Sequence, residues 1–124
     1  MKKVLVVDDE PAVRAVVRDV LFEEGYAVLE ASDGRIMLEL LAHERPDLVL
    51  MDVMMPGLDG REAYRMLRSR YDLSDIPVVM MSAGVQPCRL DPSIAAFLAK
   101  PFDFDNLMNT VVALIGRPDG NHRA

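Results

Sequence analysis

The stretch Val4-Leu5-Val6-Val7-Asp8-Asp9-Glu10-Pro11 joins a short apolar run to an acidic pair and then to a proline. Four consecutive apolar residues, mostly β-branched, are typical of a parallel strand that is buried on both faces. Pro11 fits the first turn of a helix, where its missing N–H is not needed. The residues that continue at helical spacing are Val13, Val16, Val17, Val20 and Leu21. The stretch therefore predicts a strand followed directly by a helix.

The same alternation continues along the chain. Short apolar runs predict four further strands, at residues 26–31, 48–51, 76–81 and 94–99. Amphipathic stretches predict helices at residues 36–43, after Asp59-Gly60 and at residues 104–115. Because helical crossovers join parallel strands, the predicted fold class is α/β with a doubly wound, five-stranded parallel sheet. Pro87 and Pro92 interrupt the segment between the last two strands, so we expect a shortened or irregular fourth helix there.

Composition excludes several classes of protein. The chain has 124 residues, 51% of them hydrophobic, which suits one domain with an ordinary core. The single cysteine, Cys88, rules out an intramolecular disulfide and is typical of a cytoplasmic protein. No apolar run approaches the roughly 18 residues of a membrane span, so we expect no membrane association. The net charge of −6 and the lack of a Lys/Arg run in the sequence argue against direct binding of nucleic acid.

Polar side chains follow four of the predicted strands. Asp8 and Asp9 follow the first strand, Asp52 the third, Ser82 the fourth and Lys100 the fifth. Because parallel strands end at one edge of the sheet, we expect these side chains to lie together. Each has an ordinary alternative role, as a helix cap, a turn residue or a solvated charge. Their joint occurrence at one edge favours a functional site.

Three carboxylates at one edge favour a divalent cation, since carboxylate oxygens are ligands that Mg²⁺ prefers. Without a cation, two unit charges about 4 Å apart cost on the order of 4 kcal/mol at an effective dielectric constant near 20. Lys100 and the Ser82 hydroxyl suit the remaining oxygens of a phosphoryl group. Asp52 is the better candidate nucleophile because it follows a central strand alone, whereas Asp8 and Asp9 form an adjacent pair suited to a metal.

Four segments together resemble a known family. They are Val6-Val7-Asp8-Asp9-Glu10-Pro11, Leu50-Met51-Asp52-Val53-Met54-Met55-Pro56-Gly57 with Asp59-Gly60, Met81-Ser82-Ala83 and Lys100-Pro101-Phe102. The chain resembles the receiver domain of bacterial two-component response regulators, over residues 2 to about 116. The resemblance implies a CheY-like, flavodoxin-like sheet with strand order 2-1-3-4-5. It also implies a receiver domain at residues 1–116, which leaves residues 117–124 as a flexible tail.

The resemblance implies which residues bind metal and phosphate. Asp52 is expected to accept a phosphoryl group from a histidine kinase, a phosphotransfer protein or a small phosphodonor. Asp9, Asp52 and the backbone carbonyl of Met54 are expected to ligate Mg²⁺ or Mn²⁺, with Asp8 acting through a water molecule. These are family roles carried to the matching positions of this chain.

The remaining site residues are assigned in the same way. The resemblance implies that Ser82, Lys100 and the backbone of Ala83 hold the phosphoryl group, and that the peptide bond between Lys100 and Pro101 is cis. Phe97 stands where the family has an aromatic switch that responds to the movement of Ser82. A Phe inside an apolar strand is equally well explained as a core residue, and both interpretations remain open here.

The predicted function is a phospho-acceptor switch that changes a partner-binding face, and not an enzyme beyond its own phosphoryl transfer and dephosphorylation. The downstream partner is not encoded in any pattern, and a homodimer is compatible with the sequence. One alternative is a constitutive interaction module, which the complete acidic set disfavours. Another is a phosphotransfer enzyme similar to the haloacid dehalogenase phosphatases, which need an aspartate where Met54 stands. A P-loop enzyme is excluded because the G-x-x-x-x-G-K-[ST] motif is absent from the sequence.

Overall fold

Five strands alternate with four α-helices in the computed structural model, which describes residues 1–118 apart from the side chain of Tyr71. The strands are β1 (Lys3–Val7), β2 (Ala27–Ala31), β3 (Leu48–Asp52), β4 (Val78–Ser82) and β5 (Ala96–Ala99). The α-helices are α1 (Pro11–Glu23), α2 (Gly34–Leu41), α3 (Gly60–Arg68) and α4 (Phe104–Ile115). Short 3₁₀ turns lie at Tyr71–Leu73 and Pro87–Arg89.

The sheet is parallel throughout, with the strand order β2-β1-β3-β4-β5. Two apolar layers cover its faces, one beneath α2 and α3 and the other beneath α1 and α4. Successive residues of β1 alternate between these layers, with Leu5 and Val7 in the first and Val4 and Val6 in the second. The prediction of a doubly wound, flavodoxin-like α/β fold is therefore confirmed.

Three elements, α2, β4 and β5, start two residues away from the predicted position, for local reasons. Helix α2 begins at Gly34 because the side chain of Asp33 accepts the backbone N–H of Ile36 at 2.8 Å and caps the helix. Strand β4 begins after Ile76, whose N–H donates to the carbonyl of Leu73 in a turn. Strand β5 likewise begins after Ile94, whose N–H also belongs to a turn.

The segment between β4 and β5 contains no α-helix, and its only helical turn is the one at Pro87–Arg89. The expectation of an irregular fourth helix is thus confirmed, and α4 is the closing helix of the chain. A hydrogen bond of 2.6 Å between the hydroxyls of Tyr64 and Ser93 ties this segment to α3. Arg68 donates from Nε to the same Tyr64 hydroxyl at 2.9 Å. These contacts fix the position of the irregular segment, which occurs where a regular fourth helix would otherwise lie.

The end of the described chain lies beside β1. The carbonyl of Pro118 accepts the backbone N–H of Lys2 at 3.0 Å, and the Tyr26 hydroxyl donates to the carbonyl of Gly116 at 2.7 Å. The flexible tail predicted for residues 117–124 falls mostly on residues 119–124, which lie outside the described residues. Among residues 1–118, no helix is both long and apolar enough to cross a membrane.

Candidate functional site

The carboxyl edge of the sheet brings together the side chains that the sequence singled out. Asp52 and Ser82 are the last residues of β3 and β4, and Asp8 and Lys100 directly follow β1 and β5. Asp8, Asp52 and Ser82 are 0%, 4% and 2% exposed and are the buried polar residues of the described chain. Burying a polar group costs free energy unless the group is hydrogen-bonded or paired with a charge. The partners of these side chains therefore determine the chemistry of this edge.

Lys100 is the cation at the centre of the group. Its Nζ donates to Oδ2 of Asp8 at 2.7 Å and lies 3.4 Å from Oδ2 of Asp52 and 3.7 Å from Oε1 of Glu10. Burial disfavours the charged ammonium, but the hydrogen bonds and charges of Asp8 and Asp52 outweigh it, so the pKa of Lys100 is raised. Lys100 therefore carries its charge at neutral pH.

Asp8 is held on both of its carboxylate oxygens. Oδ2 accepts from Lys100, and Oδ1 accepts the backbone N–H of Glu10 at 2.9 Å. Its backbone is fixed as well, since the N–H donates to the carbonyl of Ala31 at 3.1 Å and the carbonyl accepts Nη1 of Arg14 at 2.7 Å. The position of Asp8 is thus set by four neighbouring groups.

Asp52 is the carboxylate with the most strongly perturbed ionisation. Burial raises its pKa to about 6, the charges of Asp8 and Asp9 add to this effect, and Lys100 opposes it. Burial and the neighbouring carboxylates thus disfavour the ionised form of Asp52 more than Lys100 favours it. A bound divalent cation would reverse this balance and favour the ionised, nucleophilic form.

The carboxylates of Asp8, Glu10 and Asp52 each offer an oxygen within 4.8 Å of the others, a spacing that suits a single metal ion. Glu10 is not among the metal ligands predicted from the sequence, although its position directly after the acidic pair is a signal that could have indicated it. Asp9 is half-buried and outside this group, although its charge acts on Asp52. Met54 is 58% exposed, and the metal-binding role of its backbone carbonyl remains a prediction.

Ser82 and Phe97 occupy neighbouring strands at this edge. The Ser82 hydroxyl accepts the backbone N–H of Gly84 at 3.3 Å, and its carbonyl accepts the N–H of Lys100 at 3.0 Å. Phe97 is half-buried and packs against the apolar layer beneath α2 and α3, a position compatible with core and switch roles alike. Ala83 is exposed, and its backbone role stays a prediction.

Two turns next to the site have specific backbone geometry. The peptide bond between Lys100 and Pro101 is cis, the geometry that the resemblance implies. After β3, Gly57 has a φ of +75°, a conformation that glycine adopts without strain. Asp59 then caps α3 by accepting the N–H of Arg61 at 2.7 Å. This turn returns the chain directly beside Asp52.

A family model described as the response regulator receiver domain matches residues 4–112. The chain belongs to this family. The match spans all five strands of the receiver domain and each of the polar residues at its carboxyl edge.

Among curated relatives, the receiver domain is 43% identical over 119 residues to "Response regulator MprA" of Mycolicibacterium vanbaalenii and 40% identical over 119 residues to that of Mycobacterium leprae. Each alignment covers 93% of this chain but 51% of the relative. The chain therefore spans about half the length of the curated relatives it matches.

Solved receiver structures share the fold closely. Chemotaxis protein CheY4 of Vibrio cholerae is 30% identical with a TM-score of 0.86, and the match covers 92% of this chain and 98% of that one. The receiver domain of sensor histidine kinase PA1611 from Pseudomonas aeruginosa, solved with a magnesium ion in its active site cleft, has the same identity and TM-score with 93% and 98% coverage. TrrA of Thermotoga maritima, solved with Mg(2+)-BeF, is 34% identical with a TM-score of 0.81, covering 92% and 99%.

Proposed function

We propose that this receiver domain is a phospho-acceptor switch in which Asp52 takes a phosphoryl group from a histidine kinase, a phosphotransfer protein or a small phosphodonor. The observation that carries the proposal is the burial of Asp52 at the end of a central strand, 3.4 Å from Lys100 and within a cluster of carboxylates. Receiver domains are signalling domains rather than classical enzymes. We accordingly assign this chain no reaction beyond its own phosphorylation and dephosphorylation.

The donor set supports a resident divalent cation, Mg²⁺ or alternatively Mn²⁺. Buried carboxylates at close range, faced by a single lysine, carry a net negative charge that a hard cation neutralises. We propose that Asp9, Asp52 and the Met54 carbonyl bind the ion directly and that Asp8 binds through a water molecule. When bound, the ion supplies positive charge against the phosphoryl oxygens.

The residues of the chain have separate roles in the transfer. An Oδ atom of Asp52 forms a bond to phosphorus as the donor's bond to phosphorus breaks, and the donor leaves with that electron pair. Lys100 already carries its charge and moves from pairing with carboxylates to pairing with the transferred group. The Ser82 hydroxyl and the backbone N–H of Ala83 donate to the remaining oxygens. Together these groups stabilise an added double negative charge.

Phosphorylation is expected to change the conformation of the residues next to the phosphoryl group. We propose that Ser82 moves toward the phosphoryl group and that Phe97, on the adjacent strand, fills the space vacated. The proposed upstream partner is a histidine kinase or a phosphotransfer protein, and the phosphorylated state is recognised by a downstream protein or a second copy of the chain. We place the domain in the cytoplasm and assign it no direct contact with nucleic acid or membrane.

Beryllofluoride with Mg²⁺ tests the proposal, because it mimics an acyl phosphate without needing a kinase. We expect the wild type to melt at a higher temperature with beryllofluoride and Mg²⁺ together than with either alone. Asp52→Asn is the control and is expected to show no added shift. An equal shift in both proteins, or no shift in the wild type, would favour the constitutive interaction module instead.

A further inference from the structure

A groove runs along one side of α3 that no other helix covers. Its walls are α3 and residues 84–91, the irregular segment between β4 and β5. Two adjoining cavities of about 290 Å³ and 360 Å³ make up the groove, and Arg61 and Arg89 line both. Arg65, one helical turn after Arg61, lines the smaller of the two cavities. We call the groove defined by Arg61, Arg65 and Arg89 the basic groove.

The basic groove concentrates positive charge on an otherwise acidic protein, whose net charge is −6. All three arginines are exposed. Arg61 pairs with Asp59 at 3.0 Å, but neither Arg65 nor Arg89 forms an ion pair with any described residue. Two guanidinium groups are therefore left to bind an external anion, which they recognise by paired N–H donors.

The groove already stabilises one carboxylate of its own chain. Asp91 lies at its end and accepts both the backbone N–H and the hydroxyl of Ser93, at 2.9 Å and 2.7 Å. These hydrogen bonds, together with the charges of Arg68 and Arg65, lower the pKa of Asp91. Asp91 offsets part of the positive charge, yet one carboxylate is not enough to neutralise both Arg65 and Arg89.

The floor of the groove is apolar. It is formed by Met80, Leu90 and Val85, and by Met54, whose side chain is 58% exposed. Arginine, tyrosine and methionine are residue types enriched in protein interfaces. The two cavities share Arg61 and Arg89 in their lining, so together they offer room for a peptide segment rather than for a single compact anion.

We propose that the basic groove binds an acidic polypeptide segment of a partner protein, with carboxylates on Arg65 and Arg89 and apolar side chains on the floor. The proposal goes beyond the phospho-acceptor function and does not depend on it, because Arg65 and Arg89 have no part in phosphoryl transfer. A nucleic acid is the poorer occupant, since a polyphosphate backbone would meet the remaining acidic surface of a protein with net charge −6.

Fluorescence anisotropy with a labelled octapeptide of alternating glutamate and leucine tests the proposal on unphosphorylated protein at low ionic strength. We expect saturable binding that weakens with salt. Arg65→Gln with Arg89→Gln together should weaken it about fivefold or more. The matched control is Arg18→Gln with Arg35→Gln, on α1 and α2, which removes the same two positive charges outside the groove and should leave the affinity within about twofold.

Three results would overturn the proposal. They are absence of binding to the wild type, equal weakening by Arg18→Gln with Arg35→Gln, and equal affinity for a peptide in which every glutamate is glutamine. Tighter, arginine-dependent binding of a short oligothymidylate would also overturn it and assign the groove to nucleic acid. Because the arginines are exposed, each variant should retain the wild-type beryllofluoride response, which shows that fold and acceptor site are intact.

Discussion

Gly60 packs against the backbone of Asp52 so closely that a Cβ on Gly60 would lie 2.4 Å from the Asp52 carbonyl oxygen and 2.8 Å from the Cα of Val53. The Gly60 N–H also donates to the carbonyl of Val53 at 2.8 Å. The first residue of α3 thus rests directly on the end of the strand that carries the acceptor. The position of the Asp52 carboxylate depends on a residue without a side chain.

Gly60→Ala should therefore disturb both stability and the acceptor. The clash is with backbone atoms, which cannot rotate away, so we expect a loss of about 1–3 kcal/mol in the free energy of unfolding. We also expect a smaller beryllofluoride response. Urea unfolding and thermal melting measure the two effects. Gly84→Ala is the matched control, since nothing lies within 4 Å of a Cβ there. Comparable losses in both variants would contradict this account of the packing.

The raised pKa of Asp52, about 6, predicts a pH dependence of stability in metal-free buffer. The folded state holds a proton on Asp52 at pH values where the unfolded chain has already released it. Stability from this group is therefore greatest below pH 4 and is lost as the pH rises to about 7. A difference of about two pKa units corresponds to roughly 3 kcal/mol. Lys100 contributes no opposing trend, because its raised pKa keeps it charged over this range.

The measurement compares the wild type with Asp52→Asn in the presence of a chelator. We expect the unfolding free energy of the variant minus that of the wild type to increase from pH 4 to pH 7. The subtraction removes the titration of other groups that both proteins share. A constant difference over this range would show that Asp52 ionises normally in the folded protein.

Substitutions of Asp9 and Glu10 are expected to have different effects on Mg²⁺ binding. Glu10 joins the carboxylate cluster, but its side chain is 63% exposed and lies 3.7 Å from Lys100, with which it forms an ion pair. Asp9 has a shorter side chain, and its charge acts directly on Asp52. We expect Asp9→Asn to weaken Mg²⁺ binding at least tenfold, about 1.4 kcal/mol less stabilisation at saturating metal.

Glu10→Gln should change Mg²⁺ binding by less than about threefold, in line with an exposed ion pair. Thermal melting in a series of Mg²⁺ concentrations gives both affinities. The reverse ranking would show that Asp8, Glu10 and Asp52, the carboxylates already grouped in the folded chain, form the ligand set instead of Asp9.

The strands were the most predictable part of the fold. Runs such as 48–51 are apolar at every position because both faces of β3 are covered, and the residue after such a run falls at the carboxyl edge of a parallel sheet. The apolar runs therefore predict that Asp8, Asp52, Ser82 and Lys100 lie together. Pro87 and Pro92 similarly predicted the irregular segment, since proline cannot continue a helix.

Contacts between distant segments were not predictable. The hydroxyl pair Tyr64 and Ser93 joins residues 29 apart, and nothing in either local sequence signals the partner. The basic groove has the same origin, because Arg61 and Arg65 lie on α3 while Arg89 belongs to the segment after β4. The sequence contains no basic run, so the charge concentration exists only after folding. The start of β5 differs from the predicted one because the N–H of Ile94 forms a hydrogen bond within a turn.

Intact-protein mass spectrometry after incubation with acetyl phosphate tests the central claim most directly. Wild-type protein with Mg²⁺ should gain the mass of one phosphoryl group, whereas Asp52→Asn under the same conditions should gain none. The wild type with a chelator in place of Mg²⁺ should remain essentially unmodified. Absence of any mass gain in the wild type with Mg²⁺, or an equal gain in Asp52→Asn, would contradict the assignment of Asp52 as the phospho-acceptor.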